Sequence, residues 1–496
     1  MTVMDRPASI ADRLDDKTLL RSESFIGGQW VTGTSSFEVS NPANGEVIAE
    51  VGDVGAEGAR QAVTKAAEAF ETWKKVSPFE RARILMKWYD LILENQADLA
   101  KLITLEMGKT YREARGEVVY GAGFIEWSAE EAKRVHGETL PTPFPNSRGW
   151  TIRQPIGVVG CITPWNFPNA MITRKCAPAL AAGCTMVIKP APETPLSALA
   201  LAELAKRAGV PDGVFNVVCG DAQKIGPVLT GSDAVRMIGF TGSTEVGKLL
   251  MRQAADGVKR VALELGGNAP FIVMDDADIE KAADGIIASK FRVSGQTCVS
   301  ANRIIAQPGI ADKLVEALEA RISRLKAGDG FAEDSDLGPL VHMEAVSRVD
   351  ALVKQAREAG ARIVTGGKRL DEELGGAFYA PTLIDGGDPK MDVACHEIFG
   401  PVASVYRIER EEDIIRLAND TPYGLAAYIY TRDVNRVHRL TEGIEYGMIG
   451  VNAPMVGAAS TPFGGVKESG IGREGGKWGV EEFTELKYVL LGGVDG

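Results

Sequence analysis

The period of the apolar positions changes along the chain, and each change predicts a different kind of element. Residues 25–50, FIGGQWVTGTSSFEVSNPANGEVIAE, alternate apolar and polar positions and turn at NPANGE, which predicts short antiparallel strands. From about 56 to 136 the apolar residues return every three or four positions, as in ERARILMKWYDLILENQADLAKLI. That spacing predicts long amphipathic helices, and the Trp and Met residues within them read as core packing.

From 151 the texture changes to apolar runs alternating with helical ones. IGVVGCI (156–162) predicts a buried strand, AMITRKCAPALAAG a helix ended by Gly183, and TMVIK (185–189) the next strand. TPLSALALAELAKRAG predicts a helix with Thr194 as N-cap, Pro195 at its first position and Gly209 past its end. VFNVVCG, a short helix, VRMIGF and a further helix continue the alternation. This βαβα order predicts a parallel sheet covered by helices, with ligands at the carboxyl ends of its strands. A second series starts near 268 with APFIVM, DIEKAADGIIASKFR, a cysteine loop, RIIAQP and IADKLVEALEARISRL, and runs to about 440. There is no internal repeat or low-complexity tract, and EREEDI and KRLDEE read as solvated charge.

Length and charge narrow the class. A chain of 496 residues is too long for one core, so two or three domains are expected. The net charge of −12 argues against nonspecific nucleic-acid binding but leaves room for anionic small molecules in a local basic pocket. Six cysteines form no CxxC pair and four histidines are scattered, so no metal site is expected. That cysteine usage fits a reduced, cytoplasmic protein. Residues 1–24 carry acids throughout and lack the apolar core of a signal peptide; they read as a peripheral arm. No uncharged apolar run reaches membrane-span length.

Four short segments carry candidate chemistry. In FRVSGQTCVSANR (291–303), Cys298 sits among small and polar residues where backbone can come close, with no histidine nearby. In FTGSTEVGKLLMRQ (240–253), a strand ends at Phe240 and a helix begins beside Gly242, Ser243 and Gly247. Free N–H groups and the helix dipole there suit a pyrophosphate, although the spacing is neither GxGxxG nor GxxxxGK[ST]; the segment also reads as a tightly capped βα turn. Glu264, in VALELGGNAP, is either paired in the core or a general base with a raised pKa. Asn166, in TPWNFP, is either an oxyanion donor or a turn residue bonding backbone. A thiolate, a carboxylate, an amide donor and a dinucleotide cradle together suffice to oxidise an aldehyde through a thioester. Free Cys has a pKa of about 8.5, so such a site must lower it or supply a base.

Over nearly its whole length the chain resembles the aldehyde dehydrogenase superfamily. The motifs are ITPWNFP, FTGSTEVG, LELGGNAP, GQTC, EIFGP (397–401) and PFGGVKESGIGRE (462–474), in that order. The resemblance implies an α/β fold of two Rossmann-like parallel-sheet domains with a small β oligomerisation element. It places the NAD(P)-binding domain at 25–132 and 154–263, the catalytic domain at 264–473, and the bridging element at 133–153 and 474–496. It implies Cys298 as nucleophile, Glu264 as general base, Asn166 as oxyanion donor and Glu474 as a second proton relay. For the cofactor it implies Glu397 on the nicotinamide ribose, Phe399 near the ring, Lys189 on the adenosine ribose and Ser243 on a phosphate. Thr163, Pro164, Trp165, Pro192, Glu193, Gly226, Phe240, Gly242, Gly247 and Leu265 complete that surface. A homodimer or homotetramer is implied as well.

Within the family the chain most resembles the succinate-semialdehyde dehydrogenases, through segments such as KFRVSGQTC and EEFTELKYVL. The matching positions there imply that Arg174 and Arg292 hold the substrate carboxylate, for which the planar guanidinium fork is suited. Arg292 is expected on the helix leading into the nucleophile loop; both arginines could instead form structural ion pairs. Phe463 is expected beside the substrate. Relatives often carry a serine where this chain has Gly457, so one carboxylate contact is missing, or a longer tail fits, or Ser460 substitutes. A second cysteine two residues after the nucleophile is replaced by Ser300, which removes that disulfide switch. Where NAD-preferring relatives often place a Glu, this chain has Pro192 followed by Glu193, so NAD or NADP is expected. Glu264 favours acid formation over capture by coenzyme A. The alternatives are glutarate, 2-oxoglutarate, aromatic or aliphatic aldehydes, and, from another class, a non-catalytic binding or structural protein on this fold.

Overall fold

A computed structural model describes residues 10–494. Residues 1–9 of the expected N-terminal arm lie outside the described residues. The antiparallel pairs Ser24–Ile26 with Gln29–Val31, and Ser35–Ser40 with Val47–Asp53, open the chain. The second pair turns through Asn41, whose side chain accepts from Ala43 N. Four helices follow, Gly55–Trp73, Pro78–Glu94, Gln96–Met107 and Tyr111–Ala132.

The first large sheet has a parallel centre of five strands: Arg260–Glu264, Val235–Thr241, Val158–Ile162, Thr185–Lys189 and Phe215–Val217, in that spatial order. Antiparallel strands close both edges, Gly470–Ile471 beside Arg260–Glu264 and Ser24–Ile26 beside Phe215–Val217. The chain leaves Val158–Ile162 for a neighbour on one side and returns to Val235–Thr241 on the other. That reversal opens a crevice at the carboxyl ends of these two strands, where TPWNFP and FTGS emerge. Helices bury the faces of the sheet, with Trp88 packed 5.5 Å from Phe215.

The helix over 196–208 differs from expectation at its start. It begins at Leu196 with Pro195 as its N-cap, and the Thr194 hydroxyl is buried without a partner. The cap comes from another helix: the Glu106 carboxylate accepts from Leu196 N at 2.7 Å and Ser197 N at 2.9 Å. Gly183 and Gly209 end their helices in the left-handed region, as expected.

The second sheet runs Arg362–Thr365, Thr382–Asp385, Val402–Arg407, Ala301–Ala306, Ala269–Val273, Ala426–Tyr430 and Met448–Val451; only its first pair is antiparallel. Its chemistry-bearing residues precede strands: Gly267 before Ala269–Val273, Cys298 before Ala301–Ala306, Glu397 and Phe399 before Val402–Arg407. The amino ends of this sheet thus face the carboxyl ends of the first. Thr139–Leu140, Ser147–Pro155 and Thr484–Gly492 make a separate antiparallel sheet. Among the described residues, no helix is long and apolar enough to cross a membrane, and no group of three or more His, Cys, Asp or Glu is placed to hold a metal ion.

Candidate active site

A cavity of about 580 Å³ lies where the two sheets meet. Cys298, Asn166, Arg174, Arg292, Gly457 and Phe463 line it, as do Pro164, Trp165, Gly242, Ser243, Leu265, Glu397 and Phe399. Three consecutive left-handed residues aim the cysteine loop: Val293 (φ 52°), Ser294 (φ 54°) and Gly295 (φ 76°). For a β-branched valine this conformation is strained, so the surroundings must hold it. Val293 N donates to Glu113 at 2.7 Å, Ser294 Oγ to Gly338 O at 2.7 Å, and Gln296 Nε2 to Val293 O at 3.1 Å. A Cβ on Gly267 would stand 2.3 Å from Cys298 O, so only glycine allows that approach.

This turn corrects the placement of Arg292. The helix Ile279–Lys290 ends before it, and Arg292 opens the turn instead of riding the helix. Its guanidinium lies 5.4 Å from the Phe167 ring centre and 3.6 Å from Met455 Sδ. Among the described residues it has no carboxylate within ion-pair distance. Arg174 is different. It is buried, stacked 3.7 Å from the centre of the Phe463 ring, and paired through Nε with Glu474. Lys175 Nζ holds the other Glu474 oxygen at 2.6 Å.

Glu264 ends its strand buried, its Oε2 without a partner among the described residues, and it is not one of the residues lining the cavity. Burial and the Glu474 carboxylate push it well above the usual carboxylate range, against the pull of Arg174 and Lys175. Glu474 is held below its ordinary value: burial raises it, but Arg174 and Lys175 outweigh that. The Cys298 thiol is pushed up to about 12 by burial and by Glu397, with Arg174 opposing. Asn166 Nδ2 donates to Gln296 O at 3.0 Å, while its Oδ1 is buried without a partner.

On the expected cofactor side, Trp165 meets Phe399 edge to face, their centres 5.5 Å apart, with Phe399 itself left-handed at φ 50°. Glu397 accepts from Gly267 N at 3.1 Å, and burial raises it to about 7. Ser243 caps the helix Thr244–Ala255 by accepting from Val246 N. Gly247 and Gly242 permit close packing, since a Cβ would lie 2.4 Å from Leu265 and from Phe240 respectively. Lys189 is buried and donates to Pro190 O at 3.0 Å; Thr163 N donates to Lys189 O. Pro192 is exposed beside half-buried Glu193. A Cβ on Gly226 would meet nothing within 4 Å, so this helix face borders open space. Open space at Gly226 and an uncovered helix N-terminus at Ser243 fit an elongated dinucleotide.

Sequence reading missed several lining residues. Glu113, Glu117 and Tyr120 reach the cavity from one face of the helix Tyr111–Ala132, at the i, i+4, i+7 spacing that a helix brings together. Tyr120 Oη would be 3.3 Å from a Cβ on Gly457. Ser460 is exposed and does not line the cavity, so it does not replace the serine absent at 457.

The aldehyde dehydrogenase family model matches residues 30–489, and the chain belongs to that family. It is 52% identical over 484 residues to a 3-sulfolactaldehyde dehydrogenase of Pseudomonas putida, covering 97% of this chain and 99% of that one. It is 50% identical to a succinate-semialdehyde dehydrogenase [NADP(+)] of Escherichia coli (97% and 100%) and 49% identical to a glutarate-semialdehyde dehydrogenase of Pseudomonas aeruginosa (97% and 100%). Among solved structures, an NADP-dependent enzyme of E. coli superposes with a TM-score of 0.95 at 50% identity, covering 97% and 100%. Betaine aldehyde dehydrogenase of Staphylococcus aureus with NAD+ gives 0.93 at 36% identity, covering 95% of each chain. The expected α/β fold is thereby established, and the protein is an aldehyde dehydrogenase that uses NAD or NADP.

Proposed function

We propose that this enzyme oxidises an aldehyde with an anionic tail, succinate semialdehyde foremost, to the corresponding acid. One observation carries the reading: Arg292 presents to the cavity that holds Cys298 a guanidinium with no carboxylate partner among the described residues. An unpaired, partly desolvated guanidinium is a strong receptor for a carboxylate. Arg174 shares the Glu474 carboxylate with Lys175 and keeps its Nη2 buried without a partner among the described residues, so it adds field, a wall and a second, more constrained contact.

In this reading the Cys298 thiol gives up its proton through water to solvent and its sulfur adds to the aldehyde carbon. The Asn166 amide and the Cys298 backbone N–H hold the resulting oxyanion. NAD or NADP bound in this site would supply the hydride acceptor, and the thioester formed stays on Cys298. Glu264 then removes a proton from water, which attacks the thioester carbon; the acid departs and the thiol is restored. Glu474, with both oxygens held by Arg174 and Lys175, acts on this step through the field it exerts on Glu264 and passes no proton itself. Ser243 and its helix N-terminus would hold phosphate, Lys189 and Glu193 the adenosine ribose, Glu397 the nicotinamide ribose, and Phe399 the ring.

A second reading keeps the chemistry and changes the tail. Gly457 puts no side chain into the pocket, which leaves room for a longer or bulkier anion such as that of glutarate semialdehyde or a sulfonated aldehyde. Relatives named for such substrates are about as similar as those named for succinate semialdehyde. We also read Thr484–Gly492 as an assembly edge of a dimer or tetramer, because Leu486, Tyr488 and Leu490 lie exposed along it. Sedimentation of the purified protein as a monomer would remove that reading.

The deciding experiment is the initial rate with succinate semialdehyde, glutarate semialdehyde, hexanal and benzaldehyde, each with NAD and with NADP. A large kcat/KM preference for the anionic aldehydes supports the proposal, and the better of those two chooses between the readings. A preference for hexanal or benzaldehyde overturns both.

A further inference from the structure

We propose that Lys109 and Glu117 form a buried clamp that positions Asn166 for the reaction. Gly108, left-handed at φ 90°, ends the helix Gln96–Met107 and turns Lys109 inward. Both side chains of the pair are wholly buried. Lys109 Nζ donates to Glu117 Oε2 at 2.5 Å and to the backbone carbonyl of Asn166 at 2.7 Å, and stands 4.0 Å from the centre of the Phe167 ring. The other Glu117 oxygen accepts from Asn169 N at 2.9 Å and Ala170 N at 3.1 Å. One ion pair therefore grips the segment 166–170 at both ends.

Stability alone is a poor reason for such a pair. Taking both ions out of water is costly, and apolar residues of similar volume often serve a core as well. The hydrogen bonds show where the charge is used. Lys109 fixes the peptide plane of Asn166 through its carbonyl, and Glu117 supplies the cap that Asn169, at the N-cap, does not provide through its side chain. That helix, Ala170–Ala182, also carries Arg174 and Lys175. With its backbone fixed, Asn166 can give one amide N–H to Gln296 O and keep the other for an oxyanion. Neither clamp residue needs to touch the reacting atoms; both act through Asn166.

The inference rests on the oxyanion role proposed for Asn166, so the test is a double-mutant cycle in the full enzyme with its cofactor. Asn166→Ala, Lys109→Met and the double variant are compared for kcat, for KM of the preferred aldehyde, and for cofactor affinity by fluorescence. Lys109→Met is expected to lower kcat at least about tenfold, with KM and cofactor affinity within about threefold. The double variant should fall no more than about threefold below Asn166→Ala alone, because the second loss acts through a group already removed. Should Lys109→Met not fold, Glu117→Gln enters the same cycle with the same expectation. Losses that simply multiply in the double variant, or an unchanged kcat in the clamp variants while Asn166→Ala is impaired, overturn the clamp alone. An unimpaired Asn166→Ala overturns the oxyanion role and the clamp together.

Discussion

Glu474 lies between Arg174 and Lys175, joined to Arg174 Nε and 2.6 Å from Lys175 Nζ, and Arg174 lines the cavity that holds Cys298. The two arginines of the cavity are therefore not equivalent. Arg174 shares the single Glu474 carboxylate with Lys175, whereas Arg292 faces the cavity with no carboxylate in ion-pair distance among the described residues.

Replacing each arginine should separate binding from structure. Arg292→Ala should raise KM for succinate semialdehyde about tenfold to a hundredfold, the scale of a charged hydrogen bond. Hexanal should lose no more than about threefold in kcat/KM. Arg174→Ala leaves Glu474 with Lys175 as its remaining buried partner, and should cost up to about 3 kcal/mol in denaturant unfolding. If Arg292→Ala impairs hexanal as much as succinate semialdehyde, its guanidinium is not a carboxylate receptor.

The cysteine carries a pH signature. Because burial and Glu397 push the Cys298 thiol up to about 12, the enzyme without cofactor holds it protonated at neutral pH. Alkylation of Cys298 by iodoacetamide should then accelerate about tenfold per pH unit between pH 7 and 9, without levelling. Cys395 is the other accessible thiol, so a Cys395→Ser background isolates the signal. A plateau below pH 8 would mean that the resting site already stabilises a thiolate. Cys298→Ala should abolish oxidation of every aldehyde while leaving cofactor binding intact.

The cofactor groove proposed beside Gly226 can be probed there. A Cβ there meets nothing, and the residue lies inside the helix Ala222–Gly231, where Gly→Ala ordinarily adds stability of up to about 1 kcal/mol. Gly226→Ala should keep or raise Tm, while Gly226→Leu weakens NAD(P) binding measured by fluorescence titration. An unchanged Kd in both variants would place the cofactor elsewhere.

What was legible in the sequence was local. Period changes located the parallel strands of the first sheet and the first two strands of the second, and the motif loops placed Cys298, Asn166 and Phe399 within a few residues of a strand end. What was not legible depends on contacts across the chain. Glu106 caps a helix ninety positions on, and nothing near Thr194 reveals that the hydroxyl will be left over. Val293 and Ser294 adopt left-handed backbone without being glycine, so the turn that takes Arg292 off its helix leaves no compositional trace. The Lys109 grip on Asn166 joins two segments that each read as ordinary helix end and turn. The stripe of Glu113, Glu117 and Tyr120 did follow helical spacing, but only the packed structure shows that this face meets a cavity.

The last prediction concerns water. Glu264 is proposed to activate it, yet the carboxyl is buried, and burial together with Glu474 holds its pKa well above the ordinary range. A base must be deprotonated to act, so thioester hydrolysis should speed up as pH rises past the usual carboxylate range and level off only above the raised pKa. Removing the base should stop the cycle after one oxidation. Glu264→Gln should release a rapid burst of about one NAD(P)H per active site, followed by a steady rate at least about a hundredfold slower than that of the parent enzyme. The acyl group should then be found on Cys298 by mass spectrometry of the quenched protein. A variant that turns over without a burst would place the lost step before the thioester, and Glu264 would then act on the thiol of Cys298 instead of on water.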